Sequence, residues 1–396
     1  MKVFISGIGV VSGIGMNAEE HLDSFRCGRN GLGKVTLFPT RREEPVCEVK
    51  ADNAALKEYL GITSREHISR TALLGMVAAR EAFQDGDLAS LHPLRIGLIS
   101  STSTGGMDLT EHFYPLFRSD HRKGRLRNIV GYDPGESTGR IASYLGIKDF
   151  RTTISTGCSS SANAILMGVR MIRQGLLDVV VAGGTDALSK FILNGFASLG
   201  ILDDEPCRPF DDSRAGLNPG EGAGYVVLQS ETTLFKKPYC ELAGYANTND
   251  VFHVPASPET ANGAFFAMKQ ALEKAGIQPG EIDYIHAHGT GIPEKDASES
   301  RAISHLFGTN IPPFSSTKPF IGHTLGAAGG VDAVLSVLSI EKGIHFPNLN
   351  FKEPVAGTGL IPVTEYKEKL PVRTVLSNSF GFGGNNTSLI FRKVEK

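Results

Sequence analysis

Thr152-Thr153-Ile154-Ser155-Thr156-Gly157-Cys158-Ser159-Ser160-Ser161-Ala162 decides how the rest of the chain reads. Residues 152–154 have the β-branched character of a strand and 155–161 are small. Apolar residues then recur at 162, 165, 166, 169 and 172, the spacing of one helix face. A strand that turns directly into an amphipathic helix is the unit of an α/β layered fold. The same alternation extends both ways, with strand-like runs at 3–5, 96–99, 179–182 and 224–228 and helical periodicity at 71–83 and 162–172. After Lys236 it repeats: strands at 240–246, 284–287, 374–380 and 388–391, helices at 261–275 and 327–340. Each stretch ends with a Gly-rich segment running into an apolar strand, at 220–228 and 381–390. These repeats predict two similar halves, 1–235 and 236–396, sharing one compact body without a low-complexity linker.

Composition narrows the class. The chain has 396 residues, 41% apolar and 21% charged, enough for a large core and against disorder. Its 46 glycines, about 12% where ~7% is usual, follow no collagen-like period and point to tight turns and close backbone approach. Lys+Arg minus Asp+Glu is 40 − 42 = −2, so no global field calls for nucleic acid. Five scattered cysteines without a C-x-x-C pair suit a reducing compartment and no cysteine-based zinc site. No apolar run approaches the ~18 residues of a membrane span, and the N-terminal run is broken by Gly7, Gly9 and Gly13. The location expected from this is the cytoplasm. Residues 7–13 look like a dinucleotide fingerprint, but Ser12 stands where the third glycine belongs. The segment reads as a short strand followed by a Gly-rich turn.

Cys158 falls at a helix start, where the dipole and free N–H groups favour a thiolate. The alternative is a buried, inert cysteine, the reading given to Cys27, Cys47, Cys207 and Cys240, and position alone leaves Cys158 open between the two. Two further segments add His288 at the end of a strand and His323 at a second helix start, five residues after Lys318. A helix-start cysteine, two histidines at strand-to-helix junctions and a lysine are the parts of thiolate acyl transfer.

These segments, with Cys207-Arg208-Pro209-Phe210-Asp211, Gly220-Glu221-Gly222-Ala223-Gly224, His288-Gly289-Thr290 and Asn378-Ser379-Phe380-Gly381-Phe382-Gly383-Gly384, stand in an order that resembles the β-ketoacyl-acyl-carrier-protein synthases. The match is to the synthase I/II type of the thiolase-like condensing enzymes, over essentially the whole chain. The resemblance implies a duplicated α-β-α-β-α five-layer fold and an acyltransferase that performs decarboxylative Claisen condensation. Cys158 would carry the acyl chain. His288 and His323 would bind the malonyl thioester carbonyl and assist loss of CO2, with Lys318 supporting them electrostatically. The N–H groups of Cys158 and Phe382 would form the oxyanion hole. Thr290, Thr104 and Phe380 would line the substrate site, and Arg65, Arg70, Arg122, Lys123, Arg127 and Arg208 would meet an acidic acyl carrier protein. Neither metal nor redox cofactor is implied, only the carrier's 4'-phosphopantetheine arm.

The resemblance also implies a homodimer or a ketosynthase heterodimer. A catalytically silent chain-length partner is the alternative from another class, and such partners lack the cysteine. Gly157, Ile292, Asp332, Asn385 and the stretch Ser103-Thr104-Gly105-Gly106 depart from the family's usual residues, which favours polyene or polyketide synthesis over housekeeping fatty-acid elongation. Thr104, smaller than the usual isoleucine, implies a roomier and more polar acyl pocket; the alternative is that its hydroxyl bonds its own backbone and touches no substrate.

Overall fold

A computed structural model describes residues 1–88, 94–250 and 261–395. Ten strands form one mixed sheet. Their spatial order is Phe314–Ser315, Tyr284–His286, Thr374–Phe380, Asn385–Lys393, Cys240–Asn249, Val3–Ser12, Gly222–Ser230, Val179–Asp186, Ile96–Ser101, Phe150–Ile154. Counted in chain order, the five strands on each side of the middle take the same arrangement, third, second, fourth, fifth, first. The two sets meet along their first strands, where Phe4 pairs with Glu241 and Ile5 with Cys240. In both sets the outer pairs are parallel and the inner ones antiparallel. The fold is therefore duplicated.

Helices Ser160–Arg173 and Ala328–Lys342 pack on each other and on strands of both sets, forming a middle layer. Residues 328–340 of the second are buried on every side, as a helix enclosed by two sheet faces must be. Helix Arg70–Asp85 covers the outer face of one set and Asn262–Ala275 that of the other, which completes α-β-α-β-α. The largest core cluster lies in the middle, with Val180, Val226, Val334, Val375 and Leu389 facing one another across it.

The first strand corrects one expectation. Gly7 and Gly9 are not in a turn; the strand runs unbroken over Val3–Ser12. A Cβ at Gly7 would run into the carbonyl of Ala82 and one at Gly9 into that of Ala78, so these glycines let the Arg70–Asp85 helix lie against the strand. Gly244 in the matching strand does the same beneath Ala271. Among the described residues no helix is long and apolar enough to cross a membrane.

Candidate active site

The chain leaves strand Phe150–Ile154, turns at Gly157 with φ +63°, and enters helix Ser160–Arg173 one residue after Ser159. Side chains lock the turn. Ser160 Oγ accepts from the Thr156 N–H at 2.8 Å. Asn385 Oδ1 accepts from Ser159 Oγ at 2.6 Å, Asn163 Nδ2 at 2.9 Å and Asn247 Nδ2 at 2.8 Å. Asn385, a departure from the family pattern, thus ties the cysteine turn to the other half of the molecule.

Cys158 is 4% exposed, and its Sγ lies within 4.8 Å of a ring nitrogen of both His288 and His323, which are themselves within that distance of each other. The imidazoles stand nearly perpendicular, 5.4 Å between centres. Among the described residues, both nitrogens of His288, and Nε2 of His323, are buried without a protein partner. Such atoms normally find one, so a cluster of them around a thiol marks a place built for a ligand. Nδ1 of His323 accepts the Leu325 N–H at 3.0 Å, so the neutral ring carries its proton on Nε2. The backbone of Phe382 lies beside the turn, its nitrogen 3.9 Å from where a Cβ on Gly157 would stand. The Cys-His-His set has the donor chemistry of a soft metal site as well.

Burial pushes the Cys158 thiol up, against the opposing pull of Lys295, the Phe382 N–H, Lys318 and its own N–H. The helix-start effect expected from sequence is outweighed by desolvation, and the resting group is the thiol. Burial, reinforced by Lys318, holds His288 well below its ordinary value and His323 down to about 3, so both rings are neutral.

Helix Pro293–Phe307 positions the His288 loop through two acids one turn apart. Glu299 accepts the N–H groups of His288 and Gly289 at 2.9 and 2.8 Å; Asp296 accepts those of Thr290 and Gly291 at 2.8 and 3.0 Å. Neither acid was singled out from sequence, although an i, i+3 pair of acids behind Pro293 is a legible helix-start signal. Lys318 Nζ is buried 3.6 Å from Asp332 Oδ2, without a hydrogen bond among the described residues. Asp332 also meets His286 Nε2 at 3.1 Å, a partner missed in the sequence. Burial raises Asp332, but Lys318 and His286 outweigh it and its carboxyl lies below the usual range. Phe380, 5% exposed, ends its strand with its ring centre 6.3 Å from that of His288.

Four expectations need correction. The Thr104 hydroxyl donates to buried Asp186 at 3.2 Å, so it does not present a free polar group to an acyl chain. The Thr290 hydroxyl donates to Asp296 at 3.3 Å and accepts the Ile292 N–H at 3.2 Å. Arg70 is 4% exposed, paired with Glu221 at 2.6 Å and bonded to Val49, Ala51 and Asn53; a guanidinium so enclosed cannot meet a carrier. Arg208 is largely covered by Asp203 and Glu205, at 3.3 and 3.2 Å. Arg65, Arg122, Lys123 and Arg127 are exposed. His67 feels Arg127, Lys57 and Arg125, which draws residues 57–67 and 125–127 into one basic patch.

A duplicated five-layer body with a cysteine at one strand-to-helix junction and a histidine at the matching junction is the architecture of thiolase-like acyl-transfer proteins. The chain belongs to the β-ketoacyl synthase family, whose N-terminal domain model matches residues 1–233 and whose C-terminal domain model matches residues 239–352. It is 31% identical to 3-oxoacyl-[acyl-carrier-protein] synthase 2 of Staphylococcus aureus, over 100% of this chain and 99% of that one. Among solved structures it is similar to the ishigamide ketosynthase/chain length factor, with TM-score 0.94 and 30% identity over 100% and 99% of the two chains. It is also similar to a ketosynthase in complex with its chain length factor from Xenorhabdus doucetiae, with TM-score 0.86 and 32% identity over 99% and 98%.

Proposed function

We propose that this chain is a β-ketoacyl-acyl-carrier-protein synthase that joins an acyl group held on Cys158 to a malonyl extender, in fatty-acid-like, polyene or polyketide synthesis. One observation carries the reading: the Cys158 thiol and the unpartnered nitrogens of two neutral histidines share one buried spot. In acylation, His288 takes the Cys158 proton, sulfur attacks the acyl thioester carbonyl, and the carrier's thiol departs with that proton. The N–H groups of Cys158 and Phe382 hold the tetrahedral oxygen. The malonyl thioester then enters with its carbonyl oxygen toward His323 Nε2–H and His288. Its C–CO2 bond breaks, the electron pair forms an enolate held by those donors, and the enolate carbon attacks the acyl-Cys158 carbonyl. A C–C bond forms, Cys158 leaves as thiolate, and water returns its proton. Burial, reinforced by Lys318, keeps the histidines neutral. The phosphopantetheine arm carries both substrates.

We assign the cysteine to an N-terminal half, 1–235, and the histidines to a C-terminal half, 236–396. The acyl carrier protein docks on the basic patch of Arg65, Arg122, Lys123 and Arg127. A homodimer or a ketosynthase heterodimer fits the half-exposed edge strand Phe150–Ile154 and the exposed Tyr114, Leu116, Leu126 and Val130. The two ketosynthase/chain length factor structures support the heterodimer, with this chain as the cysteine-bearing member. Incubation with an acyl-carrier substrate followed by mass spectrometry tests the reading: an acyl adduct on Cys158, lost in Cys158→Ala, is expected. A chain that accepts no acyl group, alone or with a partner subunit, is the silent partner instead.

A further inference from the structure

Lys295 has no role in the chemistry above, yet it is buried beside it. It lies in the first turn of helix Pro293–Phe307, where the helix dipole opposes a cation, and is 6% exposed. A buried ammonium in such a place needs an answering charge or strong acceptors. Among the described residues its direct polar partner is the Gly381 carbonyl, at 3.0 Å. Its Nζ also lies over the Phe382 ring, 5.1 Å from the centre. Residues 381–382 in turn lie against the cysteine turn: a Cβ on Gly381 would stand 3.4 Å from the Cys158 nitrogen and one on Gly157 3.9 Å from the Phe382 nitrogen. The acids near Lys295 are engaged elsewhere: Glu299 by the His288 and Gly289 N–H groups and Asn378 Nδ2, Asp250 by the Gly263 N–H and Asn386. Gly383 and Gly384 hold φ +81° and +84°, so residues 381–384 form a turn with little stiffness of its own.

We propose that Lys295 is a positioning residue for acyl transfer, clamping residues 381–384 so that the Phe382 N–H faces Cys158 and placing a positive charge beside the sulfur. The inference rests on reading Cys158 as the nucleophile. One ammonium thereby serves both species that carry negative charge there, the thiolate before acylation and the tetrahedral oxygen during it. Of the two lysines acting on the thiol, Lys295 exerts the larger pull and Lys318 the smaller; the other titratable groups facing the sulfur, His288 and His323, are neutral. Burial lowers Lys295 itself, while Cys158, Asp250 and Glu299 oppose that.

The test is alkylation of Cys158 by iodoacetamide in the full-length protein, followed by peptide mass across pH 7–12 as the pH at half-maximal rate, in wild type, Lys295→Met, Lys295→Gln and Lys295→Arg. Thermal melting identifies which variants are folded. Loss of the charge raises the thiol's titration, so the neutral variants should shift the midpoint to higher pH by about one unit, on the order of tenfold slower alkylation near pH 7. Arg should keep it near wild type. A wild-type midpoint in a folded neutral variant, or an Arg variant shifted as far as Met, overturns the proposal. Acylation by an acyl thioester is scored in the same wild-type samples: its absence defeats the nucleophile reading, whereas acylation with an unmoved midpoint defeats only the role of Lys295.

Discussion

The two halves lead the chain through the same five strands in the same spatial order, yet their matching loops differ in what they leave open. After the third strand, one half places Cys158 and the other Lys318 and His323. After the second, one half has residues 102–106, closed on themselves: Asp186 accepts the Thr102 hydroxyl at 2.6 Å and the N–H groups of Ser103 and Gly326 at 2.8 and 2.7 Å. The other has residues 287–290, whose backbone is held just as firmly by Glu299 and Asp296 while the His288 ring is left without a partner among the described residues. The duplicated frame supplies equivalent positions. Whether a position becomes structural or reactive depends on whether its polar atoms are satisfied from within.

If the halves divide the labour so, variants at matching junctions should break different steps. Cys158→Ala should abolish both acylation and condensation. His323→Ala should cut malonyl decarboxylation by about 10²–10³-fold, the usual scale for a lost transition-state donor, while acylation falls far less. CO2 release and Cys158 adduct formation, measured separately, decide it; equal losses in a folded variant would erase the distinction.

A second comparison is purely of packing. Gly9→Ala and Gly244→Ala put a methyl against the carbonyls of Ala78 and Ala271, and each should cost about 1–3 kcal/mol in urea unfolding, as overpacking does. One tolerated methyl would show that the outer helices seat differently.

The neutral histidine has a pH signature. His323 titrates near 3 when folded against about 6.5 unfolded, so its contribution is present above pH 6.5 and lost as the pH falls toward 3. Glu299, pushed up to about 7 by burial, has the opposite sign, gaining stability as the pH falls from 7 toward 4.5. The difference between wild type and His323→Asn isolates the imidazole and should fall by on the order of 1 kcal/mol per pH unit below 6.5. A flat difference would mean a charged ring.

The smallest effect concerns the surface. Charge reversal at Arg122 and Lys123 should raise KM for carrier-bound substrate severalfold and spare a small pantetheine thioester, because exposed charges act on encounter more than on chemistry. Unchanged carrier kinetics at low salt would remove this segment from the docking surface.

Layering, duplication and the Cys-His-His set were legible because each leaves a local mark: period-2 and period-3.6 patterns, repeated Gly-rich endings, and reactive side chains at strand-to-helix turns. What was illegible depends on contacts across the fold. Arg70 and Arg122 look alike in a string of letters, yet one is sealed against Glu221 and the other has a side chain 91% exposed. Lys295 reads as a solvated charge early in a helix until the Gly381 carbonyl, 86 residues away, is brought to it. The thiol's upward shift likewise follows from burial, which no single segment announces.

The middle layer also dictates how the chain is made. Helix Ser160–Arg173 finds its partner only when Ala328–Lys342 has been synthesised, 342 − 173 = 169 residues later. At about 5–20 residues per second, the apolar face of the earlier helix waits roughly 10–30 s on the ribosome before its cover exists. Slowing translation past residue 173, or withdrawing chaperones that shield such a face, should lower the yield of native protein without changing one contact in the finished fold.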